Sequence, residues 1–324
     1  MEMRYVYFAA LIVGATLAGY VARRRGLSER LAELLMTLVA VCGYSTVGLL
    51  SVWVTPLQGS DVWLPVLGAL HVAIMTGLAL AASRYASHDP QLRGVMAVAG
   101  GIGNTGFTMG GFVCWILFGD QGLGKTGIYG IMWAFMIVGV TYPLARRFSR
   151  TGGPAKPFVR LLIESLLDYR SIGLPMIVLG MLLSAWQVPR PLWVDEYRVV
   201  DILTYGTTAL AYFAIGLRLH FTSLWPLRRL IAVLAGVRFV LALGVAVVLV
   251  YLAGLSPWPL APVSLWVFLI CSFCPTAVTG VAVCNMFNLR PREASVLFAS
   301  NTALYVAVLL PVVVAMARAF GPAP

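Results

Sequence analysis

Apolar runs of roughly 20 residues, the length that crosses a hydrocarbon core about 30 Å thick, recur along this whole chain. They fall near residues 5–21, 31–54, 62–83, 95–117, 122–145, 171–187, 199–217, 230–252, 263–287 and 294–317. Lipid offers the backbone no hydrogen-bond partners, so each run is expected to be a helix. No stretch between them is long enough to bury a soluble core, and the reading is a single all-α membrane domain of ten spans. The first run lacks a small-residue cleavage site and reads as a span, not a removable signal peptide. Composition agrees, with only 11% of residues charged, against about a quarter in soluble domains.

A net charge of +11 invites a nucleic-acid partner, but the placement of the charges argues against one. Of 23 Lys and Arg residues, seventeen fall in loops after odd-numbered runs, Arg23, Arg24, Arg25, Arg146, Arg147, Arg150, Lys156, Arg228 and Arg229 among them. Five, Arg4, Lys125, Arg190, Arg198 and Arg318, fall in loops after even-numbered runs or at the termini. The positive-inside rule turns that split into a plasma (inner) membrane protein with both termini outside. Arg238 is the one left over, inside a span.

The longest polar interruption, residues 146–170, carries Gly-Gly-Pro and Lys-Pro steps. It reads as a cytoplasmic linker followed by a short amphipathic helix at the membrane surface, and it divides the spans five and five, into 1–145 and 171–324. Five is odd, so the second half enters the membrane from the opposite side, and similar halves form an inverted repeat. Asn104-Thr105 followed by Thr108 has a counterpart in Pro275-Thr276 followed by Thr279. The next spans end at Pro143 and Pro311, and hydroxyl clusters recur as "GYSTVG" (43–48) and "YGTTA" (205–209).

Within the fourth run stands "GGIGNTGFTMGGF" (100–112), which thins and polarises a spanning segment. Inverted-repeat transporters place broken helices at the midplane, where unwound backbone faces a substrate cavity. Gly101, Gly103, Gly106, Gly110 and Gly111 are expected to let the backbone leave helical geometry. Asn104, Thr105 and Thr108 are expected to satisfy the freed groups. Pro275 breaks the ninth run by removing a donor. Breaks are expected near Asn104–Gly111 and Cys274–Ala277, crossing at a site lined by Asn104, Thr105, Gly106, Thr108, Pro275, Thr276 and Thr279. Tyr44, Ser45, Thr46, Thr207 and Thr208 are expected to face them across the cavity.

The titratable groups narrow the chemistry. Every carboxylate lies in a loop or near a span end, which disfavours a carboxylate-based sodium site and leaves His71 as the mid-span group that titrates near neutrality. His71 is a proton-coupling candidate or a neutral histidine bonded between helices. Arg238, in "AGVRFVLAL", reads two ways: an anion-binding group, or an anchor bonding free carbonyls at the crossing. Lys125 and Asp120 are assigned to a solvated outer turn. All five cysteines lie in spans and read as packing residues. There is no HExxH, GxSxG or nucleotide-binding loop, so the chain is not read as an enzyme, and no cofactor or metal is expected.

At "GNTGFTMGGF" and "FGDQGLG" (118–124), at "AIGLRL" (214–219) and at "CPTAVTGVAVCNMFNLRPREASVLFASNTALYVAVLLP" (274–311), the chain resembles the auxin efflux carrier family of plant auxin carriers and bacterial organic-anion transporters. Gly111 stands where that family carries a crossover proline, and "CGYSTVGLLS" lacks the proline usual in its second span. The resemblance implies the fold of sodium/proton antiporters and bile-acid symporters. Helices 1, 2, 6 and 7 then form a scaffold, while helices 3–5 and 8–10 form a transport domain with crossed, broken helices 4 and 9. It implies a secondary transporter of a small organic anion, working by alternating access. Efflux is favoured, because an inside-negative potential expels an anion with about 2.3 kcal/mol per charge per 100 mV. The alternatives are a sodium- or proton-coupled importer, or a channel or receptor on the same fold. The expected partners are the anion, the bilayer and a second copy in a homodimer.

Overall fold

A computed structural model describes residues 2–149, 157–219 and 224–322. Arg150, Lys156 and the Gly152-Gly153-Pro154 step lie outside the described residues. Among those described the fold is all helical, and six helices are long and apolar enough to cross a membrane. These are α2 (Arg30–Trp53), α3 (Gly59–Ala86), α5 (Gly110–Phe148), α9 (Val199–Arg218), α10 (Trp225–Gly254) and α13 (Pro291–Phe320). The other helices, in chain order, are α1 (Glu2–Arg24), α4 (Pro90–Gly101), α6 (Phe158–Leu166), α7 (Gly173–Ala185), α8 (Leu192–Glu196), α11 (Pro262–Ser272) and α12 (Val278–Met286).

The ten apolar runs do not map one to one onto helices. As a straight rod α5, with 39 residues, would measure about 58 Å, nearly twice the hydrocarbon core. It is not straight. Gly119 takes φ 60°, ψ −150°, a conformation essentially closed to L side chains, and the chain reverses there. The arms on either side lie antiparallel: a methyl on Gly122 would meet Cys114 O at 2.4 Å, and one on Gly111 would meet Thr126 Cγ2 at 3.2 Å. Two expected spans are therefore joined as one hairpin, while the fourth and ninth runs are each split, into α4 and the first arm of α5 and into α11 and α12.

Small residues set the closest helix contacts, as expected where van der Waals packing drives association. A methyl on Gly216 of α9 would stand 2.1 Å from Thr16 O of α1, and one on Gly180 of α7 would stand 2.8 Å from Leu49 O of α2. Helix α9 also packs on α2, so α1, α2, α7 and α9 form one group. In the remainder, α3 packs on α4, α10 on α3 and α13, α11 on α5, and α12 on α4.

Four helices each contain one π turn: Val39–Tyr44 in α2, Ile137–Thr141 in α5, Gly236–Leu241 in α10 and Tyr305–Leu309 in α13. Two have an evident cause. The turns in α5 and α13 run directly into Tyr142-Pro143 and Leu310-Pro311. Proline donates no hydrogen bond and collides with the carbonyl four residues back, and widening the preceding turn relieves both problems.

Candidate functional site

Helix α4 stops at Gly101 and α5 begins at Gly110; α11 stops at Ser272 and α12 begins at Val278. The breaks thus span 102–109 and 273–277, the first beginning two residues before Asn104. The two irregular stretches pair as one antiparallel bridge between Gly103 and Thr276. Asn104 N donates to Pro275 O at 2.6 Å, and Ala277 N donates to Ile102 O at 3.1 Å. Lipid would leave these groups unbonded; crossing satisfies them mutually.

The peptide unit between Pro275 and Thr276 is gripped from both sides. Its carbonyl accepts from Asn104, and its N–H donates to Asn301 Oδ1 at 2.9 Å. Thr276 Oγ1 donates to Ala99 O in the last turn of α4, at 2.6 Å. Thr108 Oγ1 donates to Asn104 Oδ1 at 2.6 Å, and Gly110 N donates to Asn104 O at 3.0 Å, which starts α5. The amide nitrogens of Asn104 and Asn301 are buried and have no hydrogen-bond acceptor among the described residues.

The expectation that the glycines serve through backbone freedom is corrected. Among the described residues only Gly26 and Gly119 are glycines with positive φ, so none in the first break needs a glycine-only conformation. They supply space. A methyl on Gly103 would lie 2.2 Å from Arg238 Nη2, and one on Gly101 would lie 2.3 Å from Thr76 Oγ1.

Arg238 projects from the π turn of α10 and is 1% exposed. Its Nε donates to Cys274 O at 3.1 Å, Nη1 to Gly100 O at 3.4 Å, and Nη2 to Ser272 O at 3.2 Å and also to Cys274 O. Gly100 and Ser272 lie at the carboxyl ends of the half-helices α4 and α11, and Cys274 lies just beyond the second. Each such end carries roughly −0.5 charge, so one guanidinium offsets the pair. The anchoring geometry is the one present, and it is directed at carboxyl ends, not at the amino ends of α5 and α12.

His71 of α3 is buried, with Nε2–H donated to Ala242 O at 3.1 Å and its edge toward the Phe268 ring at 6.2 Å. A carbonyl only accepts, so the hydrogen resides on Nε2. Between His71, Arg238, Thr105, Tyr129, Trp133 and Ser272 lies a cavity of about 30 Å³. That is room for a water molecule, far below the volume of an organic anion.

The remaining expected residues divide. Thr105 is half-buried and Gly106 exposed on the turn between the bridge and α5, and Thr279 is half-buried in the first turn of α12. Across from the turn, Tyr44 sets its ring 5.6 Å from Phe107, and its hydroxyl is buried without a hydrogen-bond partner among the described residues. Ser45 Oγ donates to Val41 O, and Thr46 is half-buried beside it on α2. Thr207 is committed elsewhere: its hydroxyl donates to Leu203 O at 2.5 Å, and its methyl fills the space beside Gly43. Thr208, one residue on, is fully buried, and its hydroxyl has no partner among the described residues. Phe112 of α5 stacks on Phe8 of α1 at 4.2 Å and meets Tyr205 of α9 edge-on at 5.5 Å.

Two features escaped the reading of the sequence. Asn301 lies in "SNT" (300–302), a polar triad inside an apolar run, and that interruption was the available signal. Lys125, expected in solvent, is 1% exposed. Its Nζ donates to Asp61 Oδ2 and, at 2.9 Å, to Pro56 O; Ser264 Oγ donates to Asp61 Oδ1 at 2.8 Å. Asp120, its neighbour in that expectation, pairs with Arg190 at 3.0 Å. Compared with known proteins, the chain matches no family model and no curated protein significantly.

Proposed function

We propose that this chain is a secondary transporter of a small organic anion, moving it outward by alternating access at the crossing of its two broken helices. The observation that carries the reading is the charge arrangement around the crossing. Arg238 offsets the two negative half-helix ends, while the amino ends of α5 and α12 each carry roughly +0.5; among the described residues Asp61 is the one buried carboxylate, and Lys125 holds it. The unpartnered amides of Asn104 and Asn301 add donors to the same place. A site composed of donors and positive ends favours an acceptor-rich, negative ligand.

The accompanying architecture is ten spans in two inverted five-helix repeats, with both termini outside the inner membrane, as in the auxin efflux carrier family. Its support is a set of contacts that exchange when the halves are swapped. The α1–α9 pair corresponds to α7–α2, and α11 on α5 corresponds to α4 on α12. The π-turn–proline pairs of α5 and α13 correspond likewise. Helices α1, α2, α7 and α9 then act as the scaffold, and the others carry the crossing.

Reconstitution tests the function. In proteoliposomes an aromatic monocarboxylate or a dicarboxylate should move when an electrical potential is imposed, with no sodium requirement. Asn104→Ala should slow that flux while the protein remains folded. A strict sodium requirement, or preference for an organic cation, would overturn the reading. His71→Gln should leave potential-driven flux intact and remove any dependence on a pH gradient. For topology, cysteine labelling of the 146–170 loop from the outside would refute the inverted arrangement.

A further inference from the structure

The linker between the two halves contains a helix that the crossing does not use. α6 has nine residues, so it is about 14 Å long and too short to cross a bilayer. Its side chains form three stripes. Leu161, Leu162, Ser165 and Leu166 are half-buried and face the protein. Val159, Ile163 and Leu167, spaced at i, i+4 and i+8, form a second apolar stripe that is 63%, 50% and 80% exposed. Arg160 and Glu164 pair with each other at 3.0 Å on the remaining edge, 69% and 42% exposed. A helix with one flank on protein, an adjacent apolar flank uncovered and a charged edge beyond it matches the boundary between headgroups and acyl chains, lying flat.

We propose that α6 is a bilayer-docking element for anionic lipid, with Val159, Ile163 and Leu167 in the acyl boundary and basic side chains on the headgroups. Charge complementarity specifies the occupant. Arg146 and Arg147 at the end of α5 supply that charge, since Arg160 on the edge of α6 is paired with Glu164. Juxtamembrane basic residues attract anionic headgroups. The element also touches both helix groups. Phe158 packs on the π turn of α5, where a methyl on Gly139 would meet its ring at 3.2 Å. At the other end Ser171 Oγ donates to Ser165 O at 2.7 Å and ties α6 to the entry of α7. Lipid held on α6 therefore bears on the junction between the group carrying the crossing and the group opposite it. The lipid contact stands on these residues alone; only its effect on flux rests on the transporter reading.

The test uses the full chain with Cys42→Ser, which removes its exposed cysteine. Single cysteines at Ile163→Cys, Leu167→Cys and, as the water-facing control, Arg160→Cys carry an environment-sensitive fluorophore. The proteins are reconstituted in phosphatidylcholine vesicles with or without about one third phosphatidylglycerol, using acyl-brominated lipid as quencher. Quenching at 163 and 167 should exceed that at 160 at least twofold. Phosphatidylglycerol should increase it, and Arg146→Gln/Arg147→Gln should cancel the increase. Equal quenching at all three positions would overturn the docking geometry, and quenching indifferent to phosphatidylglycerol would overturn the anionic partner. Both outcomes are read without any transport measurement, so they remain separable from failure of the transporter reading.

Discussion

Replacing Lys125 with Met should destabilise this protein more than removing an exposed ion pair, and the environment of Asp61 gives the magnitude. Asp61 is buried and accepts from Lys125, from Ser264 Oγ at 2.8 Å and from Gln58 N at 2.8 Å. Lys125→Met leaves that carboxylate with two neutral donors and no counter-charge. Breaking one side of a buried pair typically costs about 3–5 kcal/mol. The double variant Lys125→Met/Asp61→Asn removes both charges, so it should cost less than the sum of its singles, by about 2 kcal/mol or more. Arg160→Ala provides the baseline, since its pair with Glu164 is largely exposed and contributes at most about 0.5 kcal/mol. Denaturant unfolding in detergent micelles, followed by tryptophan fluorescence, gives all four values. The reasoning fails if Lys125→Met falls within about 1 kcal/mol of Arg160→Ala, or if the two single effects simply add.

Asn301→Ala removes the acceptor of the Thr276 N–H and should cost about 1–3 kcal/mol, with slower flux, measured by unfolding and by proteoliposome uptake. Arg238→Met leaves two half-helix carboxyl ends without a counter-charge and should abolish flux and lower the folded yield. Arg238→Lys, which keeps the charge but offers fewer directed donors, should retain part of both, and equal loss in the two variants would refute charge neutralisation. Gly119→Ala forces a side chain onto φ 60°, ψ −150° and should destabilise by about 1–3 kcal/mol, whereas a wild-type midpoint would mean the hairpin tolerates another conformation.

The sequence is most informative where lipid imposes one solution. Long apolar runs announce helices because no other backbone is satisfied there, and "GNTGF" and "CPT" announce breaks because they are polar where lipid tolerates nothing polar. What the freed groups bond to is far less legible. Arg238 meets carbonyls 34 to 138 residues away, and nothing local distinguishes that anchoring role from ligand binding. Thr207 resembles a cavity hydroxyl until Gly43 is found beside its methyl, since a helix face is fixed by a partner helix and not by composition. Lys125 misled for the same reason. Its neutralising acid lies 64 residues earlier, and "GLGKTG" reads as a surface turn without it.

The connection from α2 to α3 has a mechanical consequence. Ser184 of α7 holds the carbonyl of Thr55 at 2.7 Å, while Lys125 of α5 holds the next carbonyl, that of Pro56, at 2.9 Å. Adjacent links of the chain are thus fastened to different bodies. The peptide bond between them is planar and the proline ring fixes φ, so the ψ of Pro56 is the single soft torsion separating the two fastenings. A joint with one axle permits swivel and forbids stretch. On the alternating-access reading, relative travel of the two helix groups should then be smaller at this end of the molecule than at the opposite end. The molecule should open like a pair of tongs, with its rivet at Pro56.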